Sequence, residues 1–287
     1  MDKRPAPLRP LFSTHSNYVF EQNVDDRQRL RHQFSLLRED FNLWFDEALH
    51  GGGLSTDPDG AHWSALDMGC GEGQYTREIA QRYPGARVIG MDVDAASIQT
   101  AAAASASQAN VRFLVHDARQ PMAETVSVDA VVMWMVLFYL PDKRTALANL
   151  AAALRPGGVL LLGNIPDEPI ALDHPAAARI RPAGRETMRR LGMVGLEDSL
   201  EPLLREVGFD DVTSVVLRYP VGGATGCGQR WYLQALMSFS AGKLAVVDVC
   251  GLMEGPDYDR QLERLASESV LDLSGEARFL VTLARRA

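Results

Sequence analysis

Residues 65–76 read ALDMGCGEGQYT, and this stretch decides the fold. The apolar run at 64–68 has the length and character of a buried strand. Residues 74–83 follow with helical spacing. Glycines at 69, 71 and 73 let the backbone turn sharply between the two and let a ligand approach the main chain. The first turn of the helix offers N–H groups with no partner inside it. The spacing is G-x-G-x-G. A dinucleotide fingerprint needs glycine at 74, where Gln74 stands, and the GK[ST] ending of a phosphate loop is absent. Asp67, two residues before the first glycine, is placed to accept from an amine, for which a pyrophosphate site has no use.

Working outward, strands and helices alternate. Residues 87–92 (RVIGMD) form a second strand, 95–107 an Ala-rich helix, 111–116 (VRFLVH) a third strand and 128–133 (VDAVVM) a fourth. Pro141 and Asp142 open a helix that runs to 154 and stops at RPGG, before a fifth strand at 159–163. Residues 212–218 and 277–283 supply the sixth and seventh. Short apolar runs alternating with helices predict an α/β fold of the Rossmann-like kind: a doubly wound, seven-stranded, mostly parallel sheet. Leu30, Phe34, Leu37, Phe41, Trp44 and Phe45 recur at helical steps over 25–49, predicting a helical leader. Nearly sixty residues separate the last two strands where a hairpin needs only a few, which predicts a helical insertion there. Ser199 and Gly208 bracket a short amphipathic helix. The expected division is a tail, leader and linker at 1–61, a ligand-binding core at 62–164, and a substrate-side loop, last strands and helical cap at 165–287, all in one compact domain.

Composition narrows the classes. The chain has 287 residues, 46% hydrophobic and 23% charged, with Lys+Arg 29 against Asp+Glu 37 for a net charge of −8. Fibrous and disordered classes do not fit. An acidic chain has no field to gather nucleic acid or anionic membrane. Three cysteines (Cys70, Cys227, Cys250) make no CxxC pair, and no histidine has metal-ligand spacing, so no metal is expected. The longest apolar run, 130–140, is too short to span a bilayer, and the opening residues lack the apolar core of a signal peptide. The cytoplasm is the expected compartment.

The acids add a ligand. Asp92 ends the second strand nineteen residues past Gly73, where a carboxylate can bind both hydroxyls of a ribose; Asp117 follows the third strand and can accept from an adenine amino group. With Asp67 they place acids along the carboxyl ends of adjacent strands, where open α/β sheets bind ligands. These segments, with VIGMDVD (88–94), FLVHDA (113–118), VDAVVMWMVLFYLPD (128–142) and ALRPGGVLLL (153–162), strongly resemble the class I S-adenosylmethionine-dependent methyltransferases. The resemblance covers about a third of the chain. It implies S-adenosyl-L-methionine as cofactor, S-adenosyl-L-homocysteine as product, and a site of Asp67, Met68, Gly69, Cys70, Gly71, Gly73, Asp92, Val93, Asp117, Ala118, Met133 and Trp134. Upstream, Tyr18 to Gln33 is similar to the Tyr…Arg-Leu-x-x-Gln leader of the menaquinone- and ubiquinone-biosynthesis-like group, which implies that Tyr18, Arg29 and Gln33 fold over the methionine end.

Each reading has a plainer competitor. Tyr18, Arg29 and Gln33 also suit an ordinary amphipathic helix and its approach. Cys70 suits a small filler better than a nucleophile, because the acceptor itself attacks the methyl. Trp134 suits core packing as well as a ligand face. Relatives usually carry histidine after the fourth strand, where this chain has Phe138 and Tyr139; that removes one base and makes the site more aromatic. Tyr139 and His174 remain the catalytic candidates, although a histidine beside Asp173 and Pro175 also suits a solvated loop. Trp231, Tyr232, Leu236, Met237 and Phe239 are candidates for an apolar acceptor pocket or for docking the insertion. The expected activity is in-line methyl transfer to a small, apolar or aromatic metabolite, as in secondary metabolism. Alternatives are a related protein that binds the cofactor without methylating, as in a pericyclic reaction, and a nucleic-acid methyltransferase; the second lacks its [DN]PP[YFW]-type tetrad, having Met133 to Val136 there. Expected partners are a small-molecule acceptor and, as an open alternative, a second copy in a homodimer. Whether O, N or C is methylated is not written in these motifs.

Overall fold

The computed structural model describes residues 24–58, 60, 62–123, 126–193 and 196–287. Helix α1 (Val24–Gly51) opens this part of the chain. Its residues Leu37, Phe41, Phe45, Ala48 and Leu49 recur at steps of about four and are nearly inaccessible, so one stripe of the helix is committed to the core.

The alternation that follows is β1 (Ser64–Met68), α2 (Gln74–Arg82), β2 (Arg87–Asp92), α3 (Ala95–Ala104), β3 (Val111–Val115), β4 (Val128–Trp134), α4 (Lys143–Ala153) and β5 (Leu154–Asn164). Every residue of β1 is buried, as a strand covered on both faces requires. β1 pairs parallel with β2 on one side and β4 on the other. β3 extends the sheet beyond β2, and β5 extends it beyond β4, both in parallel. The chain therefore reverses its direction of winding at β1, which opens a crevice at the carboxyl ends of β1 and β4.

The second half is β6 (Ile170–Leu172), α5 (Pro175–Arg190), α6 (Leu196–Glu206), β7 (Phe209–Pro220), α7 (Gly226–Lys243), α8 (Gly255–Ser267) and β8 (Gly275–Arg286), with a π-helical turn at Leu244–Val249. β8 runs antiparallel to β5, β6 and β7. Among the described residues the sheet has eight strands rather than the seven expected, because three-residue β6 adds itself to β8 along Gly275 to Ala277. The expected insertion between the last two strands is helical, formed by α7, the π-turn and α8.

Two apolar clusters pack against the sheet. One joins α4 and α6 to it through residues such as Leu147, Leu150 and Leu204. The other joins α1 and α2 through Phe41, Phe45 and Ile79. A third lies under the cap, where Trp231 and Ala235 of α7 meet Leu37 of α1 and Phe279 of β8. Among the described residues no helix is long and apolar enough to cross a membrane.

Candidate active site

Two of the three glycines in the turn after β1 are fixed by geometry. Gly69 has φ +78, and a Cβ on it would sit 2.4 Å from Val136. Gly73, at φ +76, caps α2, and a Cβ there would meet the Phe113 ring at 2.7 Å. Only glycine fits these left-handed, crowded positions. The turn is tied to β2 by Gly69 and Cys70, whose N–H groups donate to the Met91 carbonyl at 2.6 and 3.0 Å.

Asp92 then closes the turn. Its carboxylate accepts from Gly71 N at 2.8 Å and from Asp94 N at 2.9 Å. Burial raises its pKa against the opposing pull of these hydrogen bonds. Each oxygen keeps a lone pair for a further donor. Asp94 caps α3 through Ala96 N and Ser97 N.

Asp67 lies below this floor. It is 2% exposed and accepts from Thr76 Oγ1 at 2.6 Å. Burial, with the nearby Asp92 charge adding to it, pushes its pKa up to about 7. Burial likewise drives the Cys70 thiol upward, with Asp67 and Asp92 adding to the shift, so it holds its proton at neutral pH.

A cavity of about 270 Å³ lies above the turn. Met68, Gly69, Cys70 and Gly71 form its floor; Asp92 and Val93 line the β2 side; Asp117 and Ala118 line the β3 side. Gln33 reaches it from α1 and Trp134 from β4. Eleven of the expected site residues thus converge here, counting Tyr139. Five described ones do not, His174 among them, and correct the sequence reading. Asp67 is covered by the glycine turn and faces Thr76. Gly73 is turned toward Phe113. Met133, fully buried, points into the core on the opposite alternation to Trp134. Arg29 is a buried partner of Asp26, with Nε 2.6 Å from Oδ1, and lines a neighbouring cavity instead. Tyr18 lies outside the described residues.

Asp117 is present but engaged. Arg119 donates to both its oxygens, at 2.7 to 3.1 Å, and holds its pKa below the usual carboxylate range. Residues missed from sequence include Leu30, Phe34 and Tyr75, which put an apolar and aromatic wall opposite the acids. Tyr75 packs 4.8 Å from Phe34 and 5.7 Å from Trp134 between ring centroids. Its place in the QYT of the motif was the available signal.

A second cavity, of about 230 Å³, adjoins the first. Asp26, Gln33, Met135 and Tyr139 line both. Its other walls are mostly apolar: Phe138, Ile165, Met188, Trp231, Phe239 and Phe279. Trp231 stacks on Tyr219 with centroids 4.5 Å apart. Of the five candidates for an apolar pocket, Trp231 and Phe239 line it. Tyr232 instead donates its hydroxyl to the Leu265 carbonyl, and Leu236 and Met237 are absent from the lining.

Met135 stands where the two cavities meet. Its φ is +62, a strained conformation for a side chain of this size, and its N–H donates to Gly163 O at 2.7 Å. His174 is in neither cavity. It caps α5, its Nδ1 accepting from Ala176 N at 3.2 Å, with Nε2 3.4 Å from Glu268. The sequence reading of His174 as a base at the site is therefore corrected: it is a helix cap facing a separate surface groove. Among the described residues no three His, Cys, Asp or Glu side chains gather as a metal site.

Residues 65–158 match the family model described as a methyltransferase domain. A trans-aconitate 2-methyltransferase from Deinococcus radiodurans is 30% identical over 233 residues, covering 76% of this chain and 83% of that one. A second, from Azoarcus sp., is 32% identical, covering 60% and 71%. In fold, the chain is similar to a Haemonchus contortus phosphoethanolamine N-methyltransferase in complex with S-adenosylhomocysteine, with TM-score 0.57, 17% identity, and coverage of 97% and 61%.

Proposed function

We propose, for a chain that belongs to the class I S-adenosylmethionine-dependent methyltransferases acting on small molecules, that the first cavity holds the methyl donor and the second an acceptor with an apolar or aromatic body. The observation that carries this is the shared wall. Two chambers of different chemistry meet at Asp26, Gln33, Met135 and Tyr139.

The first chamber suits the donor. Asp92 keeps lone pairs for ribose hydroxyls, and the acids Asp26, Asp92 and Asp94 suit a cation. Leu30, Phe34, Tyr75 and Trp134 offer flat apolar surface for a purine and a thioether chain. When bound, S-adenosylmethionine supplies an electrophilic methyl on a cationic sulfur. The protein's part is then to align the acceptor and exclude water. Trp231 and Phe239 of the cap, with Phe279 of β8, exclude water from the second chamber, and the Tyr139 hydroxyl and Gln33 amide orient the reacting end. In this reading residues 62–164 carry the donor, while α1 and residues 165–287 carry acceptor choice. The walls favour a less polar molecule than the trans-aconitate for which the two relatives are named.

The test is incubation with methyl-labelled S-adenosylmethionine and a small-molecule extract of the source cell, followed by mass spectrometry. The expected result is S-adenosylhomocysteine together with label in a nonpolar metabolite. Label confined to water-soluble acids would overturn the apolar acceptor, and label in nucleic acid would overturn the small-molecule assignment at this cavity.

A further inference from the structure

Several polar groups of the second cavity are occupied within the protein. Arg29 is paired with Asp26, and Arg181 and Arg185 reach Glu168 at 3.5 and 3.1 Å. Ser238 donates its hydroxyl to Gln234 O at 2.8 Å, and Tyr258 donates to Phe239 O at 2.7 Å. Two lining side chains differ. Gln234 of α7 is 2% exposed, and its Nε2 is buried with no hydrogen-bond partner. Its other amide atom, Oε1, is 2.9 Å from His32 Nδ1 of α1, which fixes the amide plane against the helix that also carries Gln33. Thr187 of α5 is 4% exposed, and its Oγ1 has no partner, not even the carbonyl one turn back that a helical threonine commonly takes.

A buried donor left unpaired in an apolar wall is costly to the folded state, and the cost is recovered when a ligand oxygen reaches it. We infer that the second cavity is built for an acceptor whose apolar body carries a neutral carbonyl oxygen, and that Gln234 Nε2 donates to this oxygen while Thr187 Oγ1 meets a second polar group. This rests on the reading of that cavity as the acceptor site. A neutral oxygen is indicated because the cations lining the wall are all ion-paired. Gln234 is held by His32, the neighbour in sequence of Gln33 on the shared wall. Gln234 is thus a specificity residue, and the cap's choice of acceptor turns on one amide.

The probes are acetophenone and its isostere α-methylstyrene, in which C=CH₂ replaces C=O. Both are titrated calorimetrically into the full chain saturated with S-adenosylhomocysteine. The wild type should prefer the ketone by about fivefold, the ratio that one net hydrogen bond supplies. Gln234→Leu should abolish this preference while leaving S-adenosylhomocysteine affinity unchanged; Gln234→Met serves if the leucine variant does not fold. Thr187→Val should leave the ketone preference in place. An equal preference in wild type and Gln234→Leu, or a wild type that binds benzoate more tightly than acetophenone, would overturn the inference while leaving the cavity's role intact. Failure of every probe to bind the wild type would overturn the acceptor reading itself and the inference with it.

Discussion

The two chambers are built by opposite means. The donor side rests on charge and main chain: a buried Asp67, an Asp92 that braces a glycine turn, and helix α3 capped by Asp94. The acceptor side rests on apolar bulk drawn from distant parts of the chain, from α1 to β8. The first site is braced by hydrogen bonds at Asp67, Asp92 and Asp94. The second takes its shape from how helices lie on one another, so its dimensions depend on side-chain size. Changes in pH should disturb the first, and changes in volume the second.

The largest expected effect follows from Asp67. Folded, it holds its proton to about pH 7, whereas the unfolded carboxyl releases it near 3.8. Between these values the unfolded state binds fewer protons, so stability present at low pH is lost as pH rises, by about 1.4 kcal/mol per unit, and levels off above 7. Urea denaturation across pH 4–8 checks this. Asp67→Asn should flatten the slope, and an unchanged slope would remove Asp67 from the account.

Asp92→Ala should weaken S-adenosylhomocysteine binding about a hundredfold, since it removes a charged acceptor and the brace of Gly71 together. Calorimetry at both chambers sharpens the contrast, because acetophenone affinity should hardly change. Phe239→Ala should do the reverse, raising the KM for the acceptor about tenfold through lost apolar contact while donor affinity stays within about twofold. If either variant damages both chambers equally, the division fails. The smallest effect belongs to His174→Ala. It should lower stability by about 1 kcal/mol through loss of the α5 cap and leave turnover untouched; a collapse of turnover would restore His174 as a base.

What the sequence disclosed follows the same divide. Strand, glycine turn, helix and the acids after β2 and β3 are encoded within short windows, so spacing together with the family resemblance marked most of the residues that gather at the first cavity. The second cavity joins residues more than two hundred positions apart, and no local pattern records that juxtaposition. β6 is too short to show a period of two. Helix α5 shows no clear pattern in the sequence because Pro175, Pro182 and Gly184 interrupt it. Its start is legible in principle, since proline at the first helical position follows the capping residue His174, which the sequence reading took for a base instead. Asp67 shows the opposite limit. The motif marks its position, but its burial beneath the turn depends on Thr76 and the sheet above it.

Helix α1 has one more consequence, in the order of folding. It lies ahead of the sheet in the chain, yet its apolar stripe is covered by partners that follow at very different distances. Phe45 meets Trp63 and Tyr83 close by, but Leu37 waits for Trp231 and Phe279. During synthesis the helix can dock one end early and must leave the other bare until most of the chain has emerged. Closing so long a loop is slow, and an exposed apolar segment meanwhile invites association with other chains. The helix that walls both chambers is therefore also the segment most in need of protection while the protein is being made.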